Sequence, residues 1–268
     1  MSIEETQFTF PSAGNVSVHV YQWSPEEPKA AVQIAHGAAE HAGRYRRVAE
    51  RLVAAGYAVF ANDHRGHGKT AKPDGLGYFA DEDGWNLAVN DLHILNNLIR
   101  DQLHGKPVAL MGHSMGSLMA QQYLIEHGGT VEAAILSGST VADAFAEVVP
   151  VLEEEVKQYG RQAPSEIMAQ MMTAQFNTEF PDASTEYDWL STDANEVQIY
   201  IDDPFCGFDL CIGSWLDMLR SNAVTTEAER LNEIPKELPL YIFAGDQDPV
   251  NNKLEALHVL LNRYQQAG

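Results

Sequence analysis

The segment Gly112-His113-Ser114-Met115-Gly116 constrains the fold of this chain more than any other. It follows an apolar run at 107–111 that predicts a strand, and it precedes a stretch that predicts a helix. In a G-x-S-x-G pattern at such a junction, the glycines permit a strained turn and let strand and helix pass closely. We therefore predict that the turn presents the Ser114 hydroxyl above the sheet as a nucleophile. The Met115 amide lies at the helix start, where donors point outward, and is predicted to stabilise an oxyanion.

A second oxyanion donor is predicted in the loop after an earlier strand. His36-Gly37-Ala38 follows the apolar run at 30–35, which predicts that strand. The amide of Ala38 is the natural candidate, because a glycine before it lets the backbone turn toward the serine. Two such donors are what a tetrahedral acyl-transfer intermediate requires.

A carboxylate that could complete the site lies near the C-terminal end of the sequence. The segment Gly245-Asp246-Gln247-Asp248-Pro249 follows an apolar run at 239–244, at the end of a strand, where the sites of α/β proteins gather. We prefer Asp248 as the acid and keep Asp246 as the alternative. The structural alternative for both is that they cap the turn that follows.

The general base is the group that the sequence does not place. In the expected order the base is a histidine that follows the acid, and only His258 follows Asp248. His258 falls in the middle of a predicted helix at about 253–264, where it would not come within hydrogen-bond reach of Ser114. We expect the base histidine beyond residue 268. We therefore expect the chain by itself to be nearly inactive, because an unassisted serine hydroxyl is a weak nucleophile.

The order of predicted elements indicates an α/β fold. Apolar runs of strand type alternate with helical patterns at 45–55, 85–99 and 253–264. The strand-type runs are at 16–20, 30–35, 57–61, 107–111, 131–136 and 239–244. Such alternation predicts βαβ units and a mostly parallel central sheet flanked by helices.

The alternation stops between residues 141 and 235, where only helical patterns are found. We predict a helical cap at 141–235, inserted into a core of residues 1–140 and 236–268. Met168, Met171 and Met172 suit an adaptable apolar surface in this cap. The structural alternative is that they are ordinary packing residues of the cap.

Composition excludes several classes of function. Lys plus Arg number 17 and Asp plus Glu 38, so the net charge of −21 disfavours a nucleic-acid partner. The two cysteines, Cys206 and Cys211, match no familiar metal signature and fit a reducing cytoplasm. No apolar signal segment and no run of about 18 apolar residues occurs, so we predict a cytoplasmic protein without a transmembrane segment.

Several motifs together resemble one known family. HGAAEHAGRY (36–45), ANDHRGHGKT (61–70) and GHSMGS (112–117) resemble the monoacylglycerol lipase and lysophospholipase family of the α/β-hydrolases. WLSTDANEVQIYIDDPFCGF (189–208) resembles the cap of bacterial members, and AGDQDPV (244–250) resembles the acid loop of the family. The similarity covers nearly the whole chain from about residue 10.

The resemblance implies an α/β-hydrolase fold and a serine carboxylic ester hydrolase that needs neither metal nor organic cofactor. Its substrate would be a small-molecule acyl ester, and transient contact of the cap with a membrane stays open. The implied site residues are Ser114 and Asp248 for catalysis, Ala38 and Met115 for the oxyanion, and Glu40, Arg44 and His113 beside the substrate.

Alternatives stay open at this point. Glu40 and Arg44 could form a mutual ion pair that holds the loop, and we favour a structural role for Asp63, Arg65 and His67. A thioesterase, a peptidase and a haloperoxidase share the fold, so fold alone does not settle the reaction. The rival outside the enzymes is a lipid-binding protein that lacks the triad histidine. The sequence holds no feature that fixes an oligomeric state.

Overall fold

The computed structural model of the chain describes residues 4–171 and 176–268. The strands in the described residues are β1 (Glu4–Ser12), β2 (Val16–Ser24), β3 (Ala30–Ala35), β4 (Tyr57–Asn62), β5 (Val108–His113), β6 (Ala133–Ser137) and β7 (Leu240–Phe243). The α-helices there are α1 (Arg46–Ala54), α2 (Gly84–Gln102), α3 (Met115–His127), α4 (Val149–Tyr159), α5 (Glu166–Ala169), α6 (Ala194–Asp202), α7 (Ile212–Ser221), α8 (Ala228–Leu231) and α9 (Glu255–Ala267).

These strands form a single sheet in the order β1-β2-β4-β3-β5-β6-β7. β1, which the sequence did not reveal, pairs antiparallel with β2, and β2 pairs antiparallel with β4. The remaining pairs, from β4 through β3, β5 and β6 to β7, are parallel. The predicted α/β fold with a mostly parallel central sheet is therefore confirmed.

Helices on both faces explain why the inner strands read as continuous apolar runs. On β4, Ala58 and Phe60 pack in a cluster with α2, whereas Val59 and Ala61 pack in a second cluster with α1. Successive side chains of a strand point to opposite faces, so burial of both faces leaves no polar position in the run. β7 lies at an edge of the sheet, and its Tyr241 and Phe243 are exposed.

The segment between β6 and β7 contains α4 to α8 and, among its described residues, only one isolated bridge, from Pro164 to Cys211. Its apolar side chains join the same buried cluster as those of α2 and α3. Met168 is buried in that cluster, Met171 packs partly against it, and Met172 lies outside the described residues. The limits of a separate cap at 141–235 stay a prediction.

No α-helix in residues 4–171 and 176–268 is both long and apolar enough to pass through a membrane.

A buried ion pair fastens the loop after β4 to the edge of the sheet. The guanidinium Nε of Arg65 donates to Oδ2 of Asp91 on α2 at 2.7 Å, and both side chains are 1% exposed. Two further donations from Arg65 reach the carbonyl of Ala13 and the hydroxyl of Ser12. The carboxylate of Asp63 accepts from the amides of Ala42 and Lys69. These contacts support the structural interpretation of Asp63 and Arg65.

Removing one partner of the buried pair should be costly, because the other charge is left without compensation. We expect Asp91→Ala to lower the free energy of unfolding by about 3–5 kcal/mol. The control is Glu154→Ala, whose partner Lys157 is also exposed, and whose loss should cost no more than about 0.5 kcal/mol. Urea unfolding followed by circular dichroism measures both. Similar midpoints for the two variants would contradict the structural role of Asp91.

Candidate active site

Ser114 lies in the turn between β5 and α3, with φ of 50° and ψ of −121°. A positive φ is uncommon for a residue other than glycine, and it persists only where the surrounding structure enforces it. Here the amide of Ser114 donates to the carbonyl of Ser137 at the end of β6, at 2.9 Å. Its carbonyl accepts from the amide and the hydroxyl of Ser117, at 2.8 and 2.6 Å. The turn is thus held from both sides.

Two glycines make this turn possible. A Cβ on Gly112 would lie 2.3 Å from the carbonyl oxygen of Gly116, and a Cβ on Gly116 would lie 2.1 Å from the carbonyl oxygen of Ala35. Both distances are to backbone atoms, which cannot rotate away. The glycines therefore let β5, α3 and the end of β3 approach within the distance that a side chain would occupy.

The loop after β3 touches the serine. A Cβ on Gly37 would lie 3.3 Å from Cβ of Ser114 and 2.9 Å from Oε1 of Glu40, so the loop approaches Ser114 through a bare backbone. Ala38 follows, and both it and Ser114 line the same cavity. In the described part of the chain, neither the amide of Ala38 nor that of Met115 donates a hydrogen bond to another group. Each amide therefore keeps an unused hydrogen-bond donor in that part of the chain.

The buried carboxylate of Glu40 holds the loop after β3 in place through several hydrogen bonds. Its carboxylate is 5% exposed and accepts from the Gly37 amide at 2.6 Å and from the Tyr45 hydroxyl at 2.8 Å. It also accepts from Nη1 of Arg44, which forms an ion pair with it. Burial, and then the nearby carboxylate, raise the pKa of Tyr45, so the phenol stays a donor. Glu40 and Arg44 thus form the mutual ion pair that was one of the two alternatives for them. The sequence pattern did not reveal that Tyr45 would contact Glu40.

Three buried histidines support the same loop. The rings of His36 and His64 lie 4.0 Å apart, and those of His36 and His67 lie 5.1 Å apart. Nδ1 of His67 lies 2.8 Å from the carbonyl of Arg65, and its Nε2 accepts from the Ala39 amide at 3.3 Å. Burial lowers the pKa of His64 to about 3 and that of His67 to about 4. The rings are therefore neutral at pH 7, and a neutral His67 is required for an acceptor at Nε2.

Of the two aspartates after β7, Asp248 is the one whose carboxylate accepts hydrogen bonds from neighbouring residues. Its carboxylate accepts from the Val250 amide at 2.9 Å and from Nδ2 of Asn251 at 2.8 Å. Burial raises the pKa of Asp248, and the Val250 amide and then His113 oppose that rise. Asp246 is exposed. Both line the cavity, but among the described residues only Asp248 has hydrogen-bond partners that would fix its carboxylate.

No imidazole in residues 4–171 and 176–268 is hydrogen-bonded to Ser114. His113 lines the cavity, where its Nδ1 lies 3.2 Å from the Ser137 hydroxyl. His258 is exposed on α9 and does not line the cavity. The structure therefore agrees with the expectation that His258 is not the base.

A cavity of about 920 Å³ opens over Ser114. Its floor carries the predicted site residues Ala38, Glu40, Arg44, His113, Ser114 and Asp248. Its walls come from the segment between β6 and β7 and are largely apolar, with Met168, Val197, Leu210 and Trp215 among them. A smaller pocket of about 30 Å³ lies on the side of Met115, Leu118 and Phe145. The fold thus joins a polar floor to an apolar chamber.

Residues 26–267 match the sequence family described as serine aminopeptidase, S33. The chain is 32% identical over 205 residues to a monoacylglycerol lipase of Mycolicibacterium smegmatis, which is 76% of this chain and 66% of that relative. It is 29% identical over 245 residues to the human monoglyceride lipase, covering 84% of this chain and 68% of the human protein. This chain belongs to the α/β-hydrolases of the monoacylglycerol lipase family. The resemblance drawn from its motifs is confirmed.

Solved structures agree with this membership. A thermostable carboxyl esterase from Bacillus coagulans, solved in complex with glycerol, superposes with a TM-score of 0.90 at 28% identity. The superposition covers 100% of this hydrolase and 88% of the esterase. The curated relatives are matched over a smaller share, about two thirds of their own lengths.

A methyl group at Gly116 should disturb the turn, because it would meet the carbonyl of Ala35. We expect Gly116→Ala to lower the free energy of unfolding by about 1–3 kcal/mol and to reduce hydrolysis by this α/β-hydrolase. Gly129→Ala is the matched control, since a Cβ there meets nothing within 4 Å. Thermal unfolding and an ester assay measure the pair. Equal behaviour of the two variants would contradict the close approach at Gly116.

The buried histidines should make the hydrolase less stable in acid. The folded pKa of His64, about 3, lies below the unfolded value of about 6.5, so its contribution is complete above pH 6.5 and is lost as pH falls. Between pH 7.5 and 5 this single group should cost about 2 kcal/mol. We expect His64→Gln to show a shallower fall in unfolding midpoint with pH than the exposed control His258→Gln. Parallel pH curves for the two variants would contradict the assignment to His64.

Proposed function

We propose that this hydrolase cleaves small acyl esters through Ser114, and that monoacylglycerols are its substrate class. The observation that carries the proposal is the environment of Ser114. It lies at positive φ on the floor of a 920 Å³ cavity beside the Ala38 and Met115 amides, which have no other partner in the described residues. Preorganised donors of this kind are usually the largest single contribution to acyl-transfer catalysis.

The reaction proceeds in two steps. Oγ of Ser114 attacks the ester carbonyl as a general base removes its proton, and the Ala38 and Met115 amides hold the tetrahedral oxyanion. The carbon–oxygen bond to the alcohol breaks, the alcohol leaves with that proton, and an acyl-enzyme remains. Water, deprotonated by the same base, then attacks the acyl group, releases the carboxylic acid and restores the serine.

Asp248 is proposed to orient the base histidine and to stabilise its protonated form, as the acid of such a triad does. The histidine itself is not among those that contact Ser114 in the described residues. We propose that residues 1–268 by themselves hydrolyse esters very slowly, because a serine hydroxyl without a general base is a weak nucleophile. His113 is proposed to support the site through Ser137 rather than to act as the base.

The apolar chamber suits an acyl chain. Met168, Leu210 and Trp215 line its wall, and each buried methylene of a chain contributes about 0.8 kcal/mol to binding. The small pocket beside Met115 adds apolar surface next to the nucleophile.

The charges around the cavity favour an uncharged alcohol over a phosphate-bearing head group. Asp182, Asp209 and Asp246 lie along the described part of its lining. Arg44 is the one lysine or arginine in that lining, and it is already paired with the buried Glu40. An anionic head group would therefore meet repulsion without a free cation. This supports monoacylglycerol over lysophospholipid among the two classes that the motifs suggest.

The other reactions known on this fold are distinguished by a substrate panel that includes a thioester, a peptide amide and a halide oxidation assay. A protein that binds the lipid and hydrolyses none of the panel would be the non-catalytic binder. A cytoplasmic location and a transient contact between the predicted cap and a membrane stay predictions.

Ser114→Ala in the full-length protein should lower kcat for a monoacylglycerol by about 10⁴-fold or more, because no other group can form the acyl-enzyme. The control is Ser221→Ala, at the end of α7 and outside the cavity lining, which should retain its activity. Labelling by a fluorophosphonate probe gives an independent readout of the nucleophile. Retained hydrolysis and labelling in Ser114→Ala would remove this serine from the mechanism.

The same ester assay is also run on the polypeptide of residues 1–268, with and without free imidazole. If the base is not supplied by this polypeptide, its hydrolysis should be slow and should increase on addition of free imidazole. Fast hydrolysis without imidazole would show that one of its own histidines acts as the base.

A further inference from the structure

A cluster of metal-binding groups lies outside the cavity, where the loop after β3 meets the turn after α6. Atoms of His41, Asp203 and Cys206 that can bind a metal lie within 4.8 Å of one another. None of the three lines the cavity over Ser114. We propose that they form a binding site for a divalent transition-metal ion of the Zn²⁺ type, separate from the groups proposed for catalysis.

A tight turn brings two of the three side chains together. Oδ1 of Asp203 accepts from the Phe205 amide at 2.9 Å, and the amide of Cys206 donates to the carbonyl of Asp203 at 3.0 Å. The carboxylate and the thiol, three residues apart, are therefore presented by one turn. Pairs of ligands separated by a few residues on a turn, with a third from another element, are common in zinc sites.

His41 supplies the third group from the opposite side. Its Nε2 lies 2.9 Å from Oδ2 of Asp203. Its Nδ1 is buried and makes no hydrogen bond in the described residues, so Nε2 is the nitrogen that a cation can reach. Bond lengths of about 2.0–2.3 Å to nitrogen, oxygen and sulfur require the three ligand atoms to lie about 3.3–3.8 Å apart. Shifts of about an ångström would meet that requirement.

The donor set and the local charge both suit a divalent ion. Imidazole, thiolate and carboxylate are the three ligand types of zinc, and three protein ligands leave one position for water. Binding releases the thiol proton to solvent. Asp203 and the Cys206 thiolate then carry two negative charges, while the neighbouring Arg44 is balanced by Glu40. The net charge of the chain, −21, further favours a cation.

An ion at this site would join two segments that already touch. The Tyr200 hydroxyl and the Gly207 amide both donate to the carbonyl of Ala39, at 2.8 and 3.0 Å. Ala39 is the neighbour of Ala38, whose amide is proposed to hold the oxyanion. Metal binding should therefore stabilise the fold, and it should slow ester hydrolysis by restraining this loop. The second effect, but not the first, rests on the proposed function.

The chain offers its own matched control, because its two cysteines are in different surroundings. Cys206 belongs to the cluster, whereas Cys211 is buried beside the carbonyl of Leu76. Metal-free protein is titrated with Co²⁺, whose thiolate complex absorbs in the near ultraviolet, and then with Zn²⁺. We expect one equivalent to bind and the melting temperature to rise by mass action.

Cys206→Ser and Asp203→Asn should each weaken binding by about tenfold or more, and Cys211→Ser should bind like the parent. The conservative Asp203→Asn keeps the test decisive if Cys206→Ser fails to fold. Absence of the cobalt–thiolate absorption in the parent, or its retention in a folded Cys206→Ser, would overturn the site. An ester assay with Zn²⁺ is run separately. Absence of hydrolysis in every variant would say nothing against the metal site, which the cobalt result alone judges.

Discussion

The close approach of three backbones around Ser114 is the constraint on which the site depends. The end of β3, the end of β5 and the start of α3 meet where Gly112 and Gly116 leave no room for a side chain. Because that contact is between main chains, it fixes the direction of the Ser114 side chain and of the Met115 amide together. The hydrogen bond from Ser114 to Ser137 adds the end of β6 to the same junction. The parallel order of these strands is what brings their C-terminal ends to one edge.

Around this junction, polar side chains hold the loop that carries Ala38. Glu40 accepts three hydrogen bonds in a buried position, and His67 accepts one as a neutral ring. Residues of a site need not contact substrate to be required, because an amide donor contributes to catalysis only when its direction is fixed before the charge develops. On the proposed role of the Ala38 amide, the ten residues HGAAEHAGRY would serve to position that one donor. Within the motif, Glu40 and Arg44 form an ion pair with each other.

The segment between β6 and β7 adds the apolar chamber and closes over this loop. Tyr200 and Gly207 contact Ala39, and Trp215 and Met168 face the cavity. Its buried side chains belong to the same cluster as those of α2 and α3, so the chamber and the floor that carries Ser114 share one core. The proposed metal site lies beside the contact of Ala39 with Tyr200 and Gly207. A metal ion bound there would restrain the loop after β3.

The sequence by itself determined the elbow, the alternation of strands and helices, and the helical character of the described residues between β6 and β7. These are local properties, in which glycine spacing and the period of the apolar residues directly report backbone conformation. It did not reveal β1, the contact of Tyr45 with Glu40, or the exposure of Tyr241 and Phe243 at the sheet edge. Only the tertiary structure brought His41 to Asp203 across 162 residues. A helical pattern indicates which face of a helix is buried but not which element that face packs against. Contacts between polar groups far apart in the sequence are therefore decided by tertiary packing.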